Sequence, residues 1–250
     1  MVATSSPPRT RAEQAVRAYA RYGLASATLL LAVIAERWLL ARHTFPADPW
    51  GARLGGQMIA SHRPWAVWAI TRIYQQVGRP LVAIGEVLVM FAWLWRTSGR
   101  RAAQGLVIVL LASATCGLIK IICGPTPFWM ALDHVGTNFP SGVVTFMTAT
   151  IGYVGVAAWR GGRRALALTV LLAILGAGPA RVIGGQHLPS DVLGGYMLGI
   201  AWLLPACVYL FGGGRSDAGS RARVPAAWQL RAEDLAPEGE AKVGVEPARA

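Results

Sequence analysis

The chain has 250 residues, of which 54% are hydrophobic and only 14% are charged, and its formal net charge at pH 7 is +12. Soluble domains carry about 25% charged residues, so this composition excludes an ordinary soluble domain. The arginines stand just outside long apolar runs, as in the cytoplasmic loops of membrane proteins, and form no basic and aromatic platform of the kind that binds nucleic acid.

Six apolar runs are long enough to cross a bilayer, which needs about 20 residues per helix. They cover approximately residues 22–40, 80–96, 104–123, 142–159, 164–184 and 189–211. We therefore predict an all-α integral membrane six-helix bundle over residues 21–211. Residues 1–20 are polar and basic, and we expect a cytoplasmic segment followed by a retained anchor. The composition of residues 212–250, rich in Gly, Ala, Pro and charge, predicts a disordered cytoplasmic tail.

The segment 43–78 between the first two runs is mixed in character. Its tryptophans, Trp65 and Trp68, suit a membrane interface, and its apolar residues have helical spacing. We predict an outer loop with an interfacial helix, and a short re-entrant segment is the alternative.

Basic clusters set the orientation of the six predicted spans. Arg96–Arg101 and Arg160–Arg164 fall on the same side as the N-terminus, so both termini are expected in the cytoplasm of a multi-pass cell-membrane protein. The four histidines then fall in outer segments, which places any chemistry on the extracytoplasmic face. They are His43, His62, His134 and His187.

Three polar clusters on that face form a coherent phosphate site. Lys120 and Arg181 supply positive charge, and Arg can bind phosphate through two parallel hydrogen bonds. The backbone N–H groups of Ser141 and Gly142 open the fourth span, where a helix N-terminus attracts anions. The clusters are Lys120–Pro127, Asn138–Gly142 and the set Arg181, His187 and Asp191.

His187 and Asp191 are the candidate catalytic pair. If Pro189 begins the last helix, Asp191 can reach back to the imidazole of His187 and fix its tautomer, which leaves the other ring nitrogen free to attack phosphorus. An H-x3-D pair also occurs in metal sites, but no third ligand stands at a suitable spacing. We therefore predict no metal and no cofactor.

The three clusters resemble the type 2 phosphatidic acid phosphatase superfamily, whose motifs are K-x6-R-P, P-S-G-H and S-R-x5-H-x3-D. The resemblance covers roughly residues 80–211 and extends to the six-span layout. It implies that His187 is the nucleophile that forms a phospho-histidine and that Asp191 orients it. It also implies that Lys120 and Arg181 clamp the phosphate.

The chain departs from these motifs at three positions. Ala180 replaces the Ser of the third motif, and Pro127 stands where the first motif has its Arg. Val143 replaces the His of the second motif, which in this family is the general acid. Loss of such an acid costs about 10²–10⁴-fold in rate. His134, in the loop before the second motif, is a possible substitute acid.

The leading hypothesis is a membrane phosphatase that hydrolyses a lipid phosphate or diphosphate, of the phosphatidic acid or polyprenyl diphosphate type. Without the acid, a diphosphate is expected to be the better substrate, because phosphate is a weaker base than an alkoxide. The main alternative is a catalytically inactive relative that binds a phospholipid headgroup or a partner. A lipid transporter is a third possibility, based on Glu86 within the second span.

Overall fold

A computed structural model describes residues 11–40, 45–61, 64–123 and 139–212, and all regular structure within these ranges is helical. By its contacts the chain divides into Met1–Gly212 and Gly213–Ala250, and the predicted tail lies outside the described residues. The helices are α1 (Arg11–Leu40), α2 (Asp48–Ala60), α3 (Trp65–Val77), α4 (Pro80–Ser98), α5 (Arg100–Cys123), α6 (Gly142–Phe146), α7 (Gly152–Arg160), α8 (Arg164–Ile183) and α9 (Pro189–Gly212). A π-helical segment, Met147–Ile151, joins α6 to α7.

Six helical stretches within the described residues are long and apolar enough to span a membrane, which confirms the predicted all-α, six-span architecture. Because α6, the π segment and α7 are continuous, they form one of these spans. The stretches are Tyr19–Leu40, Pro80–Ser98, Arg100–Ile122, Gly142–Arg160, Arg164–Ile183 and Pro189–Leu210.

Helix α1 begins earlier than its apolar run. It starts at Arg11, so part of the predicted polar segment is helical. The residues between Arg11 and Tyr19 are mostly Ala, Arg, Glu and Gln, which are good helix formers. Residues 1–10 of the predicted cytoplasmic segment lie outside the described residues.

The mixed segment forms two helices where one interfacial helix was predicted. Helices α2 and α3 have 13 residues each, shorter than a bilayer span requires. Pro64 precedes α3, and a proline cannot donate the backbone hydrogen bond that would continue a helix. The outer surface of α3 carries exposed Trp65 and Trp68, as expected for a helix at the interface.

Helix α9 packs against α1 and α5 along its length and against the span that begins at α6. Small residues on α9 allow this close approach. A Cβ at Gly195 would lie 2.9 Å from the carbonyl oxygen of Ser141, and a Cβ at Gly199 would lie 2.5 Å from Cβ of Thr148. The hydroxyl of Ser26 in α1 donates to the carbonyl of Ala201.

The end of the bundle that carries the C-terminus of α9 is rich in arginine. Arg101 Nε donates to the carbonyl of Tyr209 at 2.8 Å, and Arg160 donates to the carbonyl of Leu210 at 2.9 Å. These carbonyls belong to the last turns of α9, where cations are favoured by the helix dipole. Nearby, the buried hydroxyl of Tyr153 donates to the carbonyl of Ala102 at 3.0 Å.

Candidate active site

The turn between α8 and α9 folds back over the end of α8. The backbone N–H groups of Gln186 and His187 both donate to the carbonyl of Arg181, at 3.0 and 3.3 Å. Gly185 within this turn has a φ of 67°, a left-handed conformation that favours glycine. The turn therefore holds His187 directly above Arg181, although six residues separate them.

The side chains of Arg181 and His187 are in contact. Nη2 of Arg181 lies 3.0 Å from Nε2 of His187. A guanidinium can only donate hydrogen bonds, so Nε2 is the acceptor and the proton of the neutral ring resides on Nδ1. Nε of Arg181 is buried and has no partner among the described residues, which leaves it available to an anion.

Asp191 faces the opposite edge of the imidazole, as its spacing from His187 predicted. Oδ2 of Asp191 lies 3.4 Å from Nδ1 of His187, longer than a normal hydrogen bond. The same oxygen accepts the N–H of Leu188 at 3.0 Å, which fixes the carboxylate at the first turn of α9. Only 6% of His187 and 1% of Asp191 are exposed.

Burial lowers the pKa of His187 below its usual value. Asp191 opposes this shift through its hydrogen-bonding and charge interactions, whereas the positive charges of Arg181 and Lys120 reinforce it. At neutral pH the ring is therefore uncharged, and Nε2 carries the lone pair that a nucleophile requires.

Lys120 lies in the last turn of α5, close enough for its charge to act on His187. The structure thus brings together the cation of the first cluster and the whole of the third. Pro127 and the substitute acid His134 lie within residues 124–138, outside the described residues.

The Ser141 backbone, which we predicted to bind an anion, is hydrogen-bonded within the protein. Its N–H donates to the carbonyl of Asp191 at 2.8 Å, so it holds the start of α6 against α9 and does not point at a ligand. The Ser141 hydroxyl is buried and has no partner among the described residues. Among the described residues, a Cβ added at Gly142 would meet only Sγ of Cys116, at 3.9 Å.

Val143, at the position of the missing acid, is packed in an apolar cluster. It is 8% exposed and belongs to a group of buried residues that also contains Val144 and Met147, with Tyr74 and Val77 of α3 packed against it. Helix α3 therefore packs against the cluster that contains Val143. The cluster's titratable members are the phenols of Tyr74 and Tyr196, which donate to the carbonyls of Ala173 and Ile174.

One contact near the pair was not predicted. Asp48, at the start of α2, accepts hydrogen bonds from Ser190, which lies between His187 and Asp191 in sequence. The two residues are 142 positions apart, and no local pattern links them. Only the sequence Asp48-Pro49, typical of a helix start, marks the position.

The fold is similar to that of a transmembrane PAP2 type phosphatidylglycerolphosphate phosphatase from Bacillus subtilis, known from its crystal structure. The TM-score is 0.62, the sequences are 16% identical, and the match covers 76% of this chain and 98% of that chain. No family model matches the sequence, and no curated protein matches it. The likeness confirms the fold that the three clusters predicted.

Proposed function

From this shared fold and the contacts of His187, we propose that the chain is a membrane phosphatase that removes phosphate from a lipid phosphate or diphosphate. The observation that carries the proposal is the line of three side chains, Arg181, His187 and Asp191. It supports a neutral imidazole with its proton directed at a carboxylate and its lone pair directed at an anion-binding cation.

The proposed reaction has two steps, both at Nε2 of His187. In the first, the Nε2 lone pair attacks phosphorus, an N–P bond forms, and the bond between phosphorus and the leaving oxygen breaks. Asp191 stabilises the positive charge that develops on the ring. In the second, water attacks the phospho-histidine, the N–P bond breaks, and phosphate leaves with the ring neutral again.

Arg181 has two partners in this scheme. Without substrate its Nη2 donates to Nε2 of His187. When a phosphoryl group enters, the guanidinium transfers its hydrogen bonds to the phosphate oxygens, which frees the lone pair for attack. Lys120 contributes a second positive charge. Glycine at position 142, where only Sγ of Cys116 among the described residues would meet an added Cβ, allows the phosphate to approach the backbone.

The substrate we favour is a lipid diphosphate such as a polyprenyl diphosphate. Its leaving group is a phosphate, which departs without strong acid assistance because its second pKa is about 6. A monophosphate ester such as phosphatidic acid releases an alkoxide that needs a proton, and Val143 cannot supply one. His134 is the residue we propose as a substitute acid for such substrates.

The proposed orientation puts His187 on the extracytoplasmic face and both termini in the cytoplasm. Supporting it, the end of the bundle at the C-terminus of α9 carries the basic residues that positive-inside topology places in the cytoplasm. They are Arg96, Arg100, Arg101, Arg160, Arg163 and Arg164.

The experiment is phosphate release by the purified protein in detergent with a chelator present, using a polyprenyl diphosphate and phosphatidic acid in parallel. The wild type is compared with His187→Ala and with Tyr153→Phe, which removes a hydrogen bond near the opposite end of the bundle. We expect release that His187→Ala abolishes and Tyr153→Phe retains, with the diphosphate preferred. Equal release by wild type and His187→Ala would contradict the proposal, and preference for phosphatidic acid would contradict the substrate.

The burial of Val143 favours one other function, a non-catalytic pocket for a phospholipid headgroup. In that case wild type binds the diphosphate lipid and releases no phosphate, whereas Val143→His regains release. An acid-labile phospho-histidine trapped on wild type would exclude this alternative.

A further inference from the structure

Asp48, in α2, accepts two hydrogen bonds from the start of α9. Its Oδ1 accepts the backbone N–H of Ser190 at 2.9 Å, and its Oδ2 accepts the hydroxyl of the same residue at 2.7 Å. Asp48 is 2% exposed and Ser190 is 1% exposed. Both carboxylate oxygens are thus committed to one residue in a site closed to solvent.

The helices that carry this pair are also in close contact. A Cβ at Gly51, one turn after Asp48 in α2, would lie 2.4 Å from Cδ of Pro189. A Cβ at Gly55, the next turn along, would lie 2.9 Å from Cα of Gly185 in the turn that holds His187. Helix α2 therefore lies against the whole segment from the end of α8 to the first residues of α9.

Ser190 directly precedes Asp191 in the first turn of α9. The first N–H groups of a helix have no partner within the helix. Here Asp191 accepts the N–H of Leu188 and Asp48 accepts the N–H of Ser190, so two carboxylates together satisfy the beginning of α9. The position of the Asp191 side chain depends on this arrangement, because it belongs to the same helical turn.

We propose that Asp48 is a positioning residue for the nucleophile, which acts through Ser190 and Asp191 to keep Nδ1 of His187 facing its carboxylate. This inference rests on the proposed function for its effect on turnover. The ring lies 3.4 Å from Oδ2 of Asp191, at the limit of a hydrogen bond, so a small displacement of the helix start decides whether the bond forms. A misplacement of about 1 Å can cost roughly 100-fold in rate.

A helix cap that served stability alone would have a different signature. Its loss would lower the melting temperature while the folded fraction kept its kcat. Loss of a positioning residue lowers kcat in folded protein, leaves KM nearly unchanged, and disturbs the proton on the His187 ring. Turnover and ring protonation therefore separate the two roles.

The test uses full-length protein in detergent and four substitutions. Asp48→Ala removes both contacts, and Ser190→Ala removes only the hydroxyl contact. Asp48→Asn keeps the shape and can still bond both groups of Ser190, as acceptor to the N–H and donor to the hydroxyl. Tyr153→Phe is the matched control, because it also removes one buried side-chain hydrogen bond, at a site distant from His187.

The first readout needs no turnover. Protein labelled with ¹⁵N-histidine, with the His187 signals assigned by His187→Ala, reports which ring nitrogen carries the proton. We expect one Nδ1–H tautomer in wild type, Asp48→Asn and Tyr153→Phe. In Asp48→Ala and Ser190→Ala we expect the Nδ1–H signal to shift and broaden, because the carboxylate that faces it moves while Arg181 still donates to Nε2. An unchanged His187 spectrum in both alanine variants would overturn the inference.

The second readout is kcat and KM for phosphate release. We expect Asp48→Ala to lower kcat by about 100-fold, Ser190→Ala to lower it less, and Asp48→Asn to restore most of it. If wild type shows no turnover but Asp48→Ala still changes the His187 ring signals, the proposed phosphatase activity fails and the positioning role stands. If turnover is present and both alanine variants match Tyr153→Phe, the positioning role fails and the activity stands.

Discussion

Gly78, at the junction of α3 and α4, lies directly against Val143. A Cβ at Gly78 would approach Cγ2 of Val143 to 2.7 Å. Val143, which stands where the second motif has its His, is thus in contact with backbone on one side. In the proposed mechanism, His187 therefore acts without an acid from position 143.

Substitution Val143→His tests whether that position can still serve catalysis. We expect a loss of stability of about 1–3 kcal/mol from overpacking, and a gain in release from phosphatidic acid larger than that from the diphosphate. Val143→Leu is the control, because it overpacks the same site without an acid. A gain of equal size in Val143→Leu would mean that shape, and not proton transfer, limits the reaction.

Arg181→Lys keeps a positive charge but loses the planar guanidinium and its parallel N–H donors. The lysine cannot donate to Nε2 and phosphate in the same geometry, so we expect kcat/KM to fall by about 30-fold, the value of a charged hydrogen bond of about 2 kcal/mol. The control is Arg164→Lys, at the exposed start of α8. Comparable losses in both variants would remove the assigned contact from the mechanism.

Asp191→Asn is expected to leave the protein folded and to lower kcat by at least about 100-fold. The amide can still accept the N–H of Leu188, but it no longer stabilises a positive charge on His187 or enforces the Nδ1–H tautomer. Stopped-flow measurement of phospho-histidine formation separates this step from hydrolysis. Formation at the wild-type rate would limit Asp191 to a structural role.

The pH dependence of turnover follows from the lowered pKa of His187, which has burial as its main cause. Attack requires the neutral ring, so activity is present above the pKa and is lost as the pH falls through it. Because the pKa lies below the usual value of about 6.5, the acid limb of kcat/KM is expected below pH 6.5. An acid limb above pH 6.5 would mean that a group other than His187 controls the loss of activity.

Gly195→Ala is expected to destabilise the site through backbone contact alone. The new methyl group would meet the carbonyl of Ser141 at 2.9 Å, which forces α6 away from α9. We expect a lower melting temperature and lower kcat together. At Gly117, no described atom lies within 4 Å of an added Cβ, so Gly117→Ala should change neither by more than a small amount.

Local patterns predicted the spans and the third cluster well. The apolar runs predicted the bounds of the six spans to within a few residues, apart from the start of α1. Because α9 begins at Pro189, the spacing of four residues brings Asp191 next to His187. These features depend on neighbours in sequence. Bilayer thickness and helix geometry determine them without knowledge of the tertiary fold.

The contacts that were missed join distant parts of the chain. Ser141 donates its N–H to the carbonyl of Asp191, α3 packs against the cluster that contains Val143, and Asp48 accepts the N–H of Ser190. All three contacts depend on how the helices pack. A single sequence shows that each group can form a hydrogen bond or an apolar contact. A single sequence does not show which of the available partners each group contacts in the folded protein.

The π-helical segment Met147–Ile151 determines how α6 is rotated about the helix axis relative to α7. Relative to a regular α-helix, such a bulge accommodates one extra residue, and each residue turns a helix by about 100°. The extra residue therefore offsets the start of the span, where Ser141 donates to Asp191, from the part where Tyr153 meets α5. Deleting one residue from the segment would regularise the helix and turn Ser141 relative to Tyr153, which would break the contact of Ser141 with Asp191.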